Sequence, residues 1–318
     1  MIADGRTPVF VVTGFLGSGK STLVNHLVSR EKDSLVIVNE VGEVPVDHHL
    51  IEAAQERVVA LPNGCLCCRL RGDLEETLIG AAMRRRRGDI AGFDRVIVET
   101  SGLADPGPVA QTLFADQALA RDFKLGPIVT VVDAADAGGR SSAAAIARAQ
   151  IASADVVVFS KLDRAPDPST AKAEVESINP QAALLEARFG QLDPALLTHP
   201  KMGTYPIFRA GAPHASSIRT FILGFEKPVK RELLERFLAV LVELRGADLL
   251  RVKGVVALEG GQSVLVQGVR HVFDRLRPLE APATGLVFVA NGLGKDEVAA
   301  LWRAMSTLQA SAMSCQKM

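Results

Sequence analysis

Short apolar runs recur along the first two hundred residues, at 9–12, 35–38, 58–61, 95–98, 127–132 and 156–159. Most are continuous rather than alternating, as expected of strands covered on both faces in a parallel sheet. Between them, 22–28, 73–83 and 143–152 have helical composition. Strand and helix in alternation predict an α/β fold with a doubly wound, mainly parallel sheet. The texture changes after about residue 201. A strand over 217–223 and an amphipathic helix over 230–245 come first. Two runs, 252–258 and 263–269, are then separated by Glu259-Gly260-Gly261-Gln262, the spacing of a hairpin. A strand at 285–290 and a helix over 295–305 complete a smaller α+β domain. The expected organisation is a nucleotide-binding domain over 1–205, a linker over 206–216 and a C-terminal domain over 217–318.

The stretch from Gly14 to Thr22, GFLGSGKST, fits G-x-x-x-x-G-K-[ST] and lies between a predicted strand and a predicted helix. That context makes it a phosphate cradle. Gly14, Gly17, Ser18 and Gly19 would let backbone N–H groups close on phosphate oxygens, and the helix beginning near Lys20 adds partial positive charge. Lys20 would reach the β- and γ-phosphates, and the Ser21 hydroxyl, followed by Thr22, would ligate Mg²⁺.

Composition narrows the partners. The chain has 318 residues, 48% hydrophobic, with 36 acidic side chains balancing 36 basic ones. Balance of that kind excludes wholesale electrostatic binding to nucleic acid or to an acidic membrane surface. No apolar run reaches membrane-spanning length, and the first residues run straight into a predicted strand, so no secretory leader is expected. Three of the four cysteines, Cys65, Cys67 and Cys68, fall within four residues of each other, a poor disulfide framework. A reducing cytoplasm is expected, with the thiols kept for metal or redox chemistry. Arg84 to Arg87 is read as the solvated end of a helix.

Further chemistry falls in the loops after the strands. Ser160-Lys161-Leu162-Asp163 suits a guanine base. One carboxylate, Asp163, can accept from both N1–H and N2–H, and the stem of Lys161 can lie over the ring. Ser160 stands where Asn is usual, which predicts a weaker contact with the purine; a helix start capped by Ser160 or Asp163 is the alternative. Glu99, closing the run at 95–98, can hold Mg²⁺ through water or orient attacking water, and Gly102 leaves room for a backbone N–H near the γ-phosphate. No arginine is evident as a finger on the γ-phosphate, so slow hydrolysis that quickens in an assembled complex is expected.

The Cys65-Leu66-Cys67-Cys68 turn could converge two or three sulfurs on one cation. Thiolates in tetrahedral geometry suit Zn²⁺ or Cu⁺, and Co²⁺ can substitute. Glu40, Glu43, His48 and His49 are candidates for a further ligand. A redox-active pair and buried structural thiols are the other readings. The triplet lies in sequence between the two segments expected to respond to γ-phosphate, 39–43 and 99–102, so nucleotide and metal are expected to influence each other's affinity.

Taken in order, GFLGSGKST, Asn39-Glu40-Val41-Gly42-Glu43, Gly64-Cys65-Leu66-Cys67-Cys68, Glu99-Thr100-Ser101-Gly102 and Ser160-Lys161-Leu162-Asp163 resemble the CobW-like GTPases, relatives of the urease and hydrogenase maturation GTPases. Asp248 to Gly254 and Val266 to Val269 are similar to that family's C-terminal domain. The resemblance implies a P-loop GTPase with GTP/GDP and Mg²⁺, a divalent metal at the cysteines, and a role in metal supply or metalloenzyme assembly. Zn²⁺ is the first expected ion and Co²⁺ the second, with a client metalloprotein as partner. A GTP-dependent homodimer is a further expectation. A dedicated activator of one metalloenzyme or of a cobalamin-pathway chelatase, and a nucleotide-locked metal sensor or adaptor, are the alternatives. Val41 replaces the family's usual aromatic, and the family's histidine-rich interdomain segment is reduced here to His214.

Overall fold

A computed structural model of the protein describes residues 5–30, 33–38, 58–60, 69–116, 118–136, 144–165, 167–198 and 218–315. The chain divides into two compact units, Met1–Thr204 and Tyr205–Met318.

In the first unit, β1 (Thr7–Thr13) leads through the glycine-rich loop into α1 (Lys20–Arg30). Next come β2 (Ser34–Val38), β3 (Val58–Ala60), α2 (Arg69–Arg87) and β4 (Arg95–Glu99). Helices α3 (Gly107–Ala115) and α4 (Leu119–Asp122) lead to β5 (Phe123–Asp133), α5 (Ala144–Ser153) and β6 (Val156–Ser160). The unit closes with α6 (Ser169–Ile178), β7 (Ala183–Glu186) and α7 (Ala195–Thr198).

The sheet runs β3-β2-β4-β1-β5-β6-β7, and every pair is parallel. Strand order reverses at β1, so the loop after it opens at the point where ligands bind in such sheets. Every residue of β2 and β6 is buried, which accounts for their unbroken apolar character. β5 starts four residues before the apolar run that announced it. Its register against β1 shifts between Val9 and Val11, opposite Gly126 and Pro127. An extra residue there accommodates a proline that has no N–H for the ladder.

The second unit is a six-stranded antiparallel sheet, ordered β11-β10-β9-β13-β8 with β12 beside β10. Its strands are β8 (Ile218–Leu223), β9 (Leu249–Ala257), β10 (Ser263–Val269), β11 (Val272–Phe273), β12 (Arg277–Pro278) and β13 (Gly285–Asn291). β9 and β10 form the expected hairpin, with Val256 opposite Val264. α8 (Arg231–Arg245) buries Leu234, Phe237, Leu238 and Leu241, the i, i+3, i+4, i+7 stripe of a helix on a sheet. α9 (Lys295–Cys315) brings Trp302 edge-on to Phe225 and Phe237, with ring centroids 4.8 and 5.2 Å apart. At the rim, Arg245 reaches both Asp248 and Glu297, and its hydrogen bond holds the Glu297 carboxyl below its ordinary pKa.

Candidate functional site

The loop between β1 and α1 has the backbone of a cradle. Gly14, Gly17 and Gly19 have φ of 141°, 71° and 97°, all in the region that favours glycine. At Gly14 space is limiting as well: a Cβ there would stand 2.3 Å from the Val131 carbonyl oxygen and 2.8 Å from Ser18 Oγ. The Phe15 carbonyl accepts from the Ser18 amide and from Lys20 Nζ, each at 3.1 Å, so the lysine folds back over its own loop. Ser18 Oγ is buried without a hydrogen-bond partner among the described residues. A buried hydroxyl of this kind in a glycine-rich loop suits a phosphate oxygen.

Glu99 is the last residue of β4 rather than the first of the loop beyond, and it is only 3% exposed. The Ser21 hydroxyl donates to its Oε1 at 2.7 Å. A hydroxyl and a carboxylate are oxygen donors of the kind that suits a hard cation such as Mg²⁺. Beyond Glu99, Thr100 Oγ1 donates to Thr13 Oγ1 at 2.9 Å and the Thr100 amide to the Val12 carbonyl, tying this loop to the end of β1. Gly102 packs so closely on the cradle that a Cβ would meet the Leu16 nitrogen at 2.7 Å.

Two residues near these loops went unread in the sequence. Gln150 on α5 donates from Nε2 to the carbonyls of Gly102 and Ala104, at 3.2 and 2.9 Å, and braces the segment after Glu99. An isolated glutamine within a helical run carries no signal of that role. Asp133 ends β5 in register with Ser160 and accepts from Lys161 Nζ at 2.8 Å. Its position at a strand end was the available clue.

The Ser160 hydroxyl is turned to the cradle. It lies 2.6 Å from the Ser18 carbonyl and 3.2 Å from that of Val132, so it joins loop to sheet. Ser160 thereby has a bracing role within the protein. Lys161 adopts a left-handed backbone, φ 54°, and its carbonyl accepts from the amides of Arg164 and Ala165. Asp163 is exposed in the turn so formed.

The remaining candidates, Cys65, Cys67, Cys68, Glu40, Glu43, His48 and His49, lie outside the described residues. Among the described residues no group of three or more His, Cys, Asp or Glu side chains could hold a metal ion. In sequence, the thiols lie between two described elements. β3 ends at Ala60, and α2 starts at Arg69. Ala60 pairs with Val38, Val38 with Glu99, and Glu99 with Val12, one row across β3, β2, β4 and β1. At the ordinary strand spacing, Ala60 is about 10 Å from Glu99.

The arginine run is less free than a solvated helix end. Arg85 donates to Thr7 Oγ1 and the Phe93 carbonyl and lies 4.7 Å over the Phe93 ring, while Arg86 pairs with Asp122.

Residues 8–186 match the model of the CobW/HypB/UreG nucleotide-binding domain, which spans more than half of the chain. The chain belongs to the CobW/HypB/UreG family. Residues 218–306 match the C-terminal domain of the cobalamin synthesis protein CobW, which extends the likeness to the second unit. Among curated relatives, the zinc chaperone YjiA of Escherichia coli is 32% identical, over 92% of this chain and 96% of its own. The zinc chaperone CobW of Pseudomonas aeruginosa is 31% identical, over 92% and 90%. The crystal structure of the Zn(II)-bound YjiA GTPase from E. coli has a TM-score of 0.70 at 24% identity, covering 94% of this chain and 99% of that one. At that identity the likeness establishes the fold.

Proposed function

We propose that this chain is a GTP-hydrolysing metallochaperone that holds a transition metal ion as cargo, zinc in preference to cobalt, and passes it to a client metalloprotein. Lys20 leaves the Phe15 carbonyl for the β- and γ-phosphates, and the amides of Gly17 to Thr22 close on the same oxygens. Ser21 and Glu99 are the residues that would hold Mg²⁺, whose chemistry is to offset phosphate charge. Gly102 lets the loop beyond Glu99 approach the γ-phosphate. Asp163 reads the guanine edge, and Cys65, Cys67 and Cys68, with Glu40 or Glu43, take the cargo ion. Thiolates favour zinc, and two full-length relatives bear the name zinc chaperone.

The row of paired residues Ala60–Val38–Glu99–Val12 carries this reading. The phosphate loop follows the strand at one end of the row, and in sequence the thiols come after the strand at the other. Glu99, bonded to Ser21, stands between them. Movement of Glu99 with the γ-phosphate is therefore felt a few strand spacings away. By linkage, GTP and zinc raise each other's affinity by one common factor. Cytoplasm, where thiols stay reduced, is the compartment this requires. No described helix is long and apolar enough to cross a membrane.

Zinc affinity, measured by chelator competition with a GTP analogue, with GDP and without nucleotide, tests the coupling. The expectation is about tenfold tighter binding with the analogue, abolished in C65S/C67S/C68S. Equal affinity in the three states would defeat the coupled reading. Turnover that an apo client does not accelerate would favour a nucleotide-locked sensor over a delivering chaperone.

A further inference from the structure

The loop after β7 contains a residue whose conformation the fold does not explain. Arg188 and Gln191 form an isolated antiparallel bridge, closed by the Gln191 amide donating to the Arg188 carbonyl at 2.9 Å. The two residues between them are both left-handed, Phe189 at φ 53° and Gly190 at φ 74°. Paired positive φ values are the type I′ pattern, in which Asn-Gly is favoured. Gly190 has a packing reason to be there: a Cβ would stand 2.7 Å from the Thr22 carbonyl oxygen. Phe189 has none. Its side chain is 75% exposed, so a bulky ring occupies a strained backbone position and buries almost nothing within the chain.

The support beneath that ring is braced on both sides. The Ala187 amide donates to the Phe159 carbonyl at 2.8 Å, and His26 Nε2 on α1 is 3.1 Å from the Leu192 carbonyl. Phe159 and Glu186 are paired across β6 and β7, so the turn and the Ser160-to-Asp163 segment leave adjacent strands at the same end of the sheet. Among the described residues of this unit, the non-glycine residues with positive φ are Lys161 and Phe189, one in each of these loops. Strain concentrated in this way marks ligand sites.

We infer that the Phe189 ring is a stacking wall for the purine of the bound nucleotide. The inference rests on the guanine-nucleotide reading above and adds a division of labour to it. Asp163 reads the edge of the base, and Phe189 binds its face, which every purine offers equally.

The test compares full-length wild type with F189N and F189W, titrating GDP and IDP by calorimetry and melting each protein without nucleotide. Asparagine tolerates the left-handed backbone, so F189N is expected to melt no lower than wild type. It should nevertheless lose affinity for GDP and IDP by the same factor, about tenfold. F189W should keep wild-type affinity, and its added indole emission should be quenched on binding, whereas the emission of Trp302 in wild type should stay unchanged. F189N binding both nucleotides as wild type does overturns the inference. So does a loss confined to GDP, which is the signature of an edge contact. A wild-type protein that binds no guanine nucleotide sinks the underlying reading instead.

Discussion

The two ends of the proposed nucleotide site are built in opposite ways. At the phosphate end one unbroken run, Gly14 to Thr22, supplies loop, lysine and hydroxyl, and its shape follows from local rules: glycines at positive φ and a helix start. At the purine end Asp133, the Ser160-to-Asp163 segment and Phe189 come from the ends of β5, β6 and β7. Only parallel pairing brings them side by side. The first end is therefore fixed by spacing along the chain, the second by registry across the sheet. Ser160 links the two through its bond to the Ser18 carbonyl.

The largest effect expected separates the ends outright. Lys20→Ala removes the buried cationic donor of the loop, so GTP turnover should fall by about 10² to 10³. The ratio of GDP to IDP affinity should not change. Single-turnover hydrolysis and paired titrations read the two quantities, and a shift in base preference would show that the ends are not independent. Next is Gly14→Ala, which places a methyl group 2.3 Å from the Val131 carbonyl at φ 141°. Strain of that kind costs about 1–3 kcal/mol, visible as a lower urea midpoint at unchanged m-value, with nucleotide binding weakened alike for every base.

The same contrast accounts for what could be read in the sequence. The P-loop and the strands β1, β2, β4 and β6 were legible because parallel strands buried at all or all but one position leave continuous apolar runs. β7 was not: Ala183 to Glu186 is half-buried to exposed, too short and too mixed to stand out from a helix end. Missing β7 meant missing the turn after it, and Phe189 with it. α3 is buried at most of its positions and so shows no one-sided stripe, and the stripe of α6 is thin, only Ala171, Val175 and Ile178. Ser160 was placed correctly at a strand end, but its partner could not be known without the fold. The hydroxyl is shorter than the amide usual there, and it reaches the Ser18 carbonyl because β6 brings it beneath the loop.

Ser160→Ala sharpens the comparison by cutting the link. One buried hydrogen bond is worth about 1 kcal/mol, so GDP affinity should drop about fivefold, with IDP dropping equally. A larger loss for GDP than for IDP would mean that Ser160 reads the 2-amino group of the base and that bracing is not its role. Ser160→Asn, by contrast, is expected to restore most of the affinity, since a carboxamide can donate to the same carbonyl.

The smallest effect should come from Asp133→Asn, and its size follows from exposure. The Lys161 ammonium and the Asp133 carboxylate meet at 2.8 Å with 31% and 19% of their side chains exposed. A partly solvated pair of this kind is worth about 0.5 kcal/mol. Asparagine keeps the Oδ1 that accepts from the Ala135 amide, so the loop after β5 should hold its shape. What is lost is the tether on Lys161 alone, and GDP affinity should fall by about twofold. Salt then distinguishes this loss from that of Ser160→Ala. Screening weakens the ion pair in wild type, so the difference between wild type and D133N should shrink as ionic strength rises, while the Ser160→Ala difference stays constant. If both differences respond to salt alike, the lysine and the serine act as one unit, and the purine end is not the assembly of separate strand ends described above.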